Sequence, residues 1–292
     1  MSNLSEALAG DGFVVTGEVG PPKGVDIDHM LADAEHLRGK VVAINVTDIQ
    51  SSVMRVGSLA VCVKLRAMGL EPVLQMVCRD RNRLALQSDL LSASILDIEN
   101  VLALTGDHTV LGDHPESKPV FDLDSVSLLK AMTTLEGGKD MAGNDLEGAP
   151  TFFKGAVVAP SAEPVEPQIL KMQKKVEAGA QFFQTQAVYD VSQFEAFMKQ
   201  VEGLGVPVLV GIVLLKSAGM ARFMNKNVAG VFVPDPLIKR MADASKEDRP
   251  KVSLEIAGEL IRAMKPMCRG THIMPLGWDK HVPAVLDAAG LA

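Results

Sequence analysis

Short apolar runs rich in β-branched residues alternate along the chain with segments whose apolar positions recur every three to four residues. The runs cover 13–17, 41–47, 72–77, 100–105, 153–159, 181–186, 207–213 and 271–276. They are apolar at successive positions, as strands of a parallel sheet buried on both faces must be. Between them, the spacing predicts helices over 26–38, 124–135 and 192–201, among others. In the first, Ile27, Met30, Leu31, Ala34 and Leu37 form one stripe. Asp26 or Asp28 caps its start, and Asp124 caps the second helix. Gly39, Gly69, Gly179 and Gly205 each stand where a helix stops before the next strand. Eight strand–helix units are what a (β/α)8 TIM barrel requires. A doubly wound sheet fits less well, because no GxGxxG follows the first strand. No change of composition marks a linker, so the expected architecture is a single α/β domain, one (β/α)8 barrel over residues 1–292. The Gly-rich connection 137–150 reads as a surface excursion, or as a lid over the site.

Composition narrows the function. The chain of 292 residues is 47% hydrophobic and 22% charged, ordinary for a globular protein with a large core. A net charge of −7 argues against nucleic acid or an anionic membrane as partner. Ten Phe, one Tyr and one Trp are too few for a single-strand stacking platform. Cys62, Cys78 and Cys268 stand far apart, with no CxxC, which suits a reducing compartment. The first dozen residues lack a basic, then apolar, leader pattern. No apolar stretch reaches the ~18 residues of a membrane span. A cytoplasmic protein is the expectation.

Barrel chemistry gathers at the carboxyl ends of the strands. In chain order those ends offer Glu18; Thr47, Asp48 and Gln50; Gln75 and the run Cys78-Arg79-Asp80-Arg81; Thr105-Gly106-Asp107-His108; Ala159-Pro160-Ser161; Thr185-Gln186; Lys216-Ser217; and Gly277-Trp278-Asp279. The set contains no HExxH, no cysteine ligand pair and no P-loop, so no metal is expected. Of the six histidines, only His108 falls clearly at this face, which leaves no nucleophile–histidine pair. Carboxylates and amides without a nucleophile or metal suit redox or proton chemistry on an organic cofactor. Arg79 and Arg81 either bind an anion or face solvent, and solvent is the simpler reading.

These residues carry a likeness. Glu18 before Pro21-Pro22, Val46-Thr47, Leu104-Thr105-Gly106-Asp107, the segment Lys175-Val176-Glu177-Ala178-Gly179-Ala180 and Thr185-Gln186 follow in order through most of the chain. In this the chain resembles the methylenetetrahydrofolate reductase family, in its short bacterial catalytic form. The stretches 78–89, 105–114 and 122–125 also resemble a branch from organisms that use folate one-carbon pathways for energy or carbon fixation.

The resemblance implies a flavoprotein oxidoreductase of one-carbon metabolism. It would reduce 5,10-methylenetetrahydrofolate to 5-methyltetrahydrofolate, with hydride passing from reduced flavin N5 to a 5-iminium intermediate. FAD is the implied cofactor, with FMN as the alternative. Glu18 matches the general acid that protonates the departing folate amine. Asp107 matches a carboxylate beside both flavin and pterin, and Gln186 the amide that pairs with the pterin. Thr47, Gln75, Thr105, Gly106, Asp107, Ala159, Lys171, Lys174 and Lys175 fall in the flavin-binding positions, with Lys175 on the diphosphate side. Without the resemblance, Glu18 is a charged strand end, Asp107 a Gly-Asp turn, Gln186 a strand cap and the lysines a solvated helix face.

Some positions depart from the family pattern. Gln75 replaces a His, Ala159 a Tyr and Met274 a Tyr. The strand-seven loop reads Leu215-Lys216-Ser217-Ala218-Gly219 where an aromatic that stacks on folate and nicotinamide is expected. Trp278 is the available substitute ring, although a lone Trp after a strand usually packs. The electron donor is therefore either NAD(P)H or a protein partner, the latter within an oligomer or heterocomplex. A pterin or corrinoid methyltransferase barrel without redox chemistry is the rival activity.

Overall fold

A computed structural model describes residues 1–291. Eight parallel strands close into a barrel in sequence order, each paired with its chain neighbours and the last with the first. They are β1 Val14–Val19, β2 Ala43–Val46, β3 Pro72–Val77, β4 Asn100–Leu104, β5 Phe153–Val158, β6 Phe182–Ala187, β7 Val208–Val213 and β8 Gly270–Met274. The helices are α1 Asn3–Ala9, α2 Asp28–Glu35, α3 Ser58–Ala67, α4 Arg83–Ile95, α5 Ser125–Glu136, α6 Glu166–Glu177, α7 Val191–Val201, α8 Ala218–Asn227, α9 Asp235–Asp243, α10 Arg249–Met264 and α11 Val282–Ala289. The eight expected strands are present, β3 with its expected bounds and the others displaced by one or two residues at one end or both.

The local sequence explains the elements. Asp124 caps α5, its side chain accepting from Ser127 N at 2.9 Å, and Leu128, Met132 and Leu135 face the barrel. Asp190 caps α7 in the same way, one residue earlier than the spacing suggested. The expected cap of α2 is absent: Ile27 occupies the cap position, and Asp26 accepts only from Asp28 N. Gly39, Gly69, Gly179 and Gly205 all adopt positive φ, the conformation that lets the chain leave a helix sharply.

Inside the barrel the side chains form unlike layers. The lowest is apolar: Val14, Ala43, Val73, Leu102, Phe182 and Leu209, closed from below by Leu4 and Leu8 of α1. Ser2 caps α1 and also donates to Asn100 Oδ1 at 2.6 Å, fixing the plug. Phe182 stacks on Phe153 with centroids 4.9 Å apart and fills the space in which a Cβ at Gly155 would stand. Above this layer lie Thr16, Asn45, Gln75, Gln184 and His272, all buried. The strands are thus not apolar on both faces: β1, β2, β3, β6 and β8 turn polar residues inward.

Two expectations need correcting. Three helices, α8 to α10, connect β7 to β8, where one was expected, and α1 precedes the first strand. The 137–150 segment joins the end of α5 to the start of β5. It therefore lies at the amino-terminal face of the barrel, opposite the mouth, and is no lid. It is a tight excursion, with Asp140 accepting from Ala142 N and Asn144 N and with Met141 N donating to Gln87 Oε1.

Candidate active site

The site grows from β1. Thr16 and Glu18 are two residues apart and point to the same side, into the barrel. Glu18 Oε2 accepts from Gln75 Nε2 of β3 at 3.1 Å. His272 Nε2 of β8 lies 3.5 Å from the same oxygen. The other ring nitrogen of His272 sits 3.0 Å from Thr16 Oγ1, which in turn accepts from Gln184 Nε2 at 3.4 Å. His272 is not among the site residues expected from the sequence, which places only His108 clearly at the active face. His108 is exposed and caps a 3-10 turn through its own ring; His272 is the histidine at the carboxylate. The signal was one titratable residue in an otherwise uncharged strand, and its meaning rests on the register that pairs Thr16 with His272.

Glu18 also lines a cleft of about 420 Å³ between the loops after β1, β2 and β8, together with Gly20, Gln50, Arg55, Asp33 and Asp279. Burial, then the charges of Asp33 and Glu18, push the Asp279 carboxyl up to about 6. Thr47 at the end of β2 is 2% exposed, and its hydroxyl has no partner among the described residues. Such an orphaned donor at a barrel mouth is what a bound polar ligand satisfies.

The loop after β2 is strained and braced. Ile49, Ser51 and Ser52 adopt positive φ of 45°, 56° and 58°, conformations that cost a non-Gly residue and gather at functional sites. Asp48 accepts from Arg81 at 2.7 and 3.1 Å and from Val77 N at 2.9 Å. Arg79 grips Asp80 through two bonds and donates to the carbonyls of Asp107 and Ile49 at 3.0 and 3.2 Å. Ser52 Oγ donates to the Asp107 and His108 carbonyls. Arg79 is 1% exposed, and Arg81 is clamped between Asp48 and Asp89. The solvent-facing reading of both arginines is therefore corrected: they tie the loops after β2, β3 and β4 together.

The remaining expected residues lie around the same mouth in different states. Asp107 and Gln186 are exposed at the ends of β4 and β6, their side chains unpaired among the described residues. Neither contacts Glu18. Gly106 has φ 94°, and a Cβ there would stand 2.3 Å from Val77 Cγ1, so only glycine fits. The Thr105 hydroxyl is engaged with Ser125 N and Oγ at the start of α5. Ala159 packs under the loop after α8, near Gly230. Lys174 is exposed and Lys171 half-buried. Trp278 packs edge-on to His281 beneath the Lys216 ammonium, and Lys216 also donates to the Leu276 carbonyl. Leu214 and Leu215 are buried. Among the described residues no cluster of His, Cys, Asp and Glu has the makings of a metal site, and no helix is long and apolar enough to cross a membrane.

Lys175 is 7% exposed, and its ammonium donates to the Val157 carbonyl at 2.5 Å. Burial first, then the like charge of Lys171, lower its pKa to about 8, against the pull of Asp124. A buried cation without a carboxylate costs stability in the absence of an anionic ligand. Lys175→Met should therefore raise the unfolding free energy at pH 7, read by urea denaturation, by about 1–3 kcal/mol. The folded pKa lies below the unfolded one, so wild type gains stability as pH rises from about 8 to about 10.5. The advantage of the variant should shrink over that range. A variant less stable than wild type at pH 7 would show that Lys175 is a supporting contact rather than a strained one.

A closed parallel barrel with its polar cluster at the carboxyl ends of the strands defines a (β/α)8-barrel protein laid out as an enzyme. The family model for methylenetetrahydrofolate reductase matches residues 3–290. The chain belongs to the methylenetetrahydrofolate reductase family. Methylenetetrahydrofolate reductase 2 of Schizosaccharomyces pombe (strain 972 / ATCC 24843) is 24% identical over 230 residues, which are 75% of this chain and 35% of the relative. The chain thus spans well under half the length of that curated relative. Among solved structures, an uncharacterised protein from Clostridium thermocellum, described as binding two copies of 5-methyl-5,6,7,8-tetrahydrofolic acid, superposes with a TM-score of 0.66. It is 13% identical and covers 99% of both chains. Tryptophan synthase from M. tuberculosis gives a TM-score of 0.55 at 12% identity, over 100% of this chain and 99% of that one. At such identities the likeness is one of fold.

Proposed function

We propose that this chain reduces 5,10-methylenetetrahydrofolate to 5-methyltetrahydrofolate with a bound flavin, FAD or FMN. The observation that carries the reading is Glu18, a buried carboxyl on the inner wall of the barrel at a substrate-sized cleft, in a chain of this family. The neighbour from C. thermocellum, described as binding a methylated folate, adds support.

The residues present fit a flavin. The unpartnered Thr47 hydroxyl would donate to the flavin. Lys175 is a buried cation without a carboxylate, suited to phosphate oxygens, with Lys171 and Lys174 on the same helix. Gly106 brings backbone close to the mouth, and Gln75 and Ala159 complete the set. The flavin, when bound, supplies the hydride.

The protein's part is proton placement and charge. Glu18 Oε2 is occupied by Gln75, whereas Oε1 has no partner among the described residues. Oε1 is thus the atom that holds the proton and passes it to the departing folate amine as the ring opens. Gln186, exposed and unpaired, presents both an amide donor and an acceptor to the pterin. Asp107 places a negative charge at the mouth, which favours a cationic form of the substrate. Its main-chain carbonyl is held by Arg79 and Ser52, which fixes the backbone from which the side chain extends.

A second reading concerns the electron source. The loop over 214–219 offers no ring, and Trp278 is committed to His281 and Lys216. That favours a donor protein docking at the mouth, in an oligomer or heterocomplex, over direct use of NAD(P)H.

Purified protein should be yellow, or take up added flavin, with one flavin per chain by the visible spectrum after release. A colourless protein that binds neither FAD nor FMN would remove the redox reading and leave the methyltransferase rival. Mixing the flavin-loaded chain with NADH or NADPH in a stopped-flow instrument separates the two donors. Slow bleaching supports the partner, and rapid bleaching at micromolar nicotinamide restores a self-sufficient reductase.

A further inference from the structure

The mechanism above leaves the buried chain Gln184–Thr16–His272 without a task. Four strands contribute to this polar file, β6, β1, β8 and, through Gln75, β3, and it ends on Glu18. It lies directly above the apolar layer that α1 seals from below. Three buried polar residues in a barrel centre carry a desolvation cost that apolar residues of similar size would avoid.

Chemistry fixes the direction of the Gln184–Thr16 bond and leaves the Thr16 proton available to His272. Gln184 Nε2 is a donor only, so Thr16 Oγ1 accepts from it at 3.4 Å. The one hydroxyl proton of Thr16 is then free to point at His272 Nδ1, 3.0 Å away. A ring that accepts at Nδ1 carries its proton on Nε2. That nitrogen faces Glu18 Oε2 at 3.5 Å, about half an ångström longer than an ordinary N–H···O bond. Catalytic hydrogen bonds are often long before substrate binds. Gln75 Nε2 already donates to the same oxygen. Oε2 thus accepts one N–H from Gln75 and faces the His272 nitrogen at 3.5 Å, which leaves Oε1 as the open oxygen for a carboxyl proton.

We propose that His272 is a positioning residue for Glu18, locked by Gln184 and Thr16 as the neutral Nε2–H tautomer so that the carboxyl proton is confined to Oε1. The inference rests on Glu18 as the proton donor of the proposed reaction, but its structural half is testable without folate.

The test uses the full chain labelled with ¹⁵N-histidine. The His272 resonances are assigned by their loss in His272→Gln. Wild type should show a single neutral Nε2–H tautomer at position 272. Thr16→Val, which removes the hydroxyl but keeps the shape, should release it to a mixture of tautomers. An Nδ1–H ring or an imidazolium in wild type overturns the proposal.

The kinetic arm compares His272→Leu with His272→Gln in folate turnover. Leu should lower kcat by about 10–100-fold with little change in KM, and Gln, which can still donate an N–H, should recover part of the loss. An unchanged kcat in His272→Leu overturns the positioning role. If the leucine variant does not fold, Thr16→Val serves, with a smaller loss of kcat expected. If wild type turns over folate and Glu18→Gln does not, while His272 proves to be Nδ1–H, this inference fails and the proposed function stands. If wild type binds flavin but never turns over folate, the proposed function fails and takes the kinetic role of His272 with it.

Discussion

Glu18→Gln is expected to keep the fold and the flavin and to lose folate turnover by about 10²–10⁴-fold, the usual worth of a general acid. The substitution is close to isosteric. Its amide oxygen can still accept from Gln75, so the buried network keeps its contacts. What it lacks is a transferable proton on the atom that faces the cleft. In the proposed function the flavin is held by other residues, Thr47 and Lys175 among them, so its spectrum and stoichiometry should be unaltered. Steady-state turnover of methylenetetrahydrofolate with an artificial electron donor reads the effect. Near wild-type turnover would remove Glu18 from the reaction.

Asp48→Ala should have the largest effect on stability, about 3–5 kcal/mol, the cost of removing one partner from a buried ion pair. Asp48 is fully covered and accepts three hydrogen bonds, two from Arg81 and one from Val77 N. Its loss leaves the Arg81 guanidinium with Asp89 as its one carboxylate and the Val77 N–H unpaired beneath the strained 49–52 loop. That loop carries Thr47 at its start and supports Asp107 through Ser52 and Arg79, so flavin affinity should fall together with stability. Urea denaturation measures the first, and flavin titration of the folded fraction the second. A midpoint within error of wild type would mean that the loop is held by its own backbone rather than by the Asp48–Arg81 pair.

Much of the barrel was legible in the sequence because buried parallel strands and their glycine stops leave a local signature. Gly39, Gly69, Gly179 and Gly205 mark helix ends in both readings. The helices that escaped notice, α1 and α9, are short, and each buries only two apolar side chains along its length: Leu4 and Leu8, and Ile238 and Met241. Two buried positions in seven to nine residues do not make a readable period.

The candidate site was legible where a residue ends a strand and illegible where its meaning depends on distant pairing. Glu18, Thr47, Asp107 and Gln186 are placed by strand ends alone. His272 gains its meaning from the closure of β8 on β1, which joins residues 256 positions apart. Arg79 and Arg81 sit in a run of alternating charge that looks solvated. Their burial comes from Asp48 and from the carbonyls of two other loops, none of which the run itself announces. The 137–150 segment was open to correction from topology alone, since a loop that follows a helix lies at the far end of a barrel from the strand ends.

The most direct test of the account is a single turnover without any external donor. Flavin-loaded protein is reduced anaerobically and mixed with 5,10-methylenetetrahydrofolate. The account expects the oxidised flavin spectrum to return as an equal amount of 5-methyltetrahydrofolate forms, and both to slow together in Glu18→Gln. Reduced flavin that persists in the presence of the folate, with no methyl product, would contradict it.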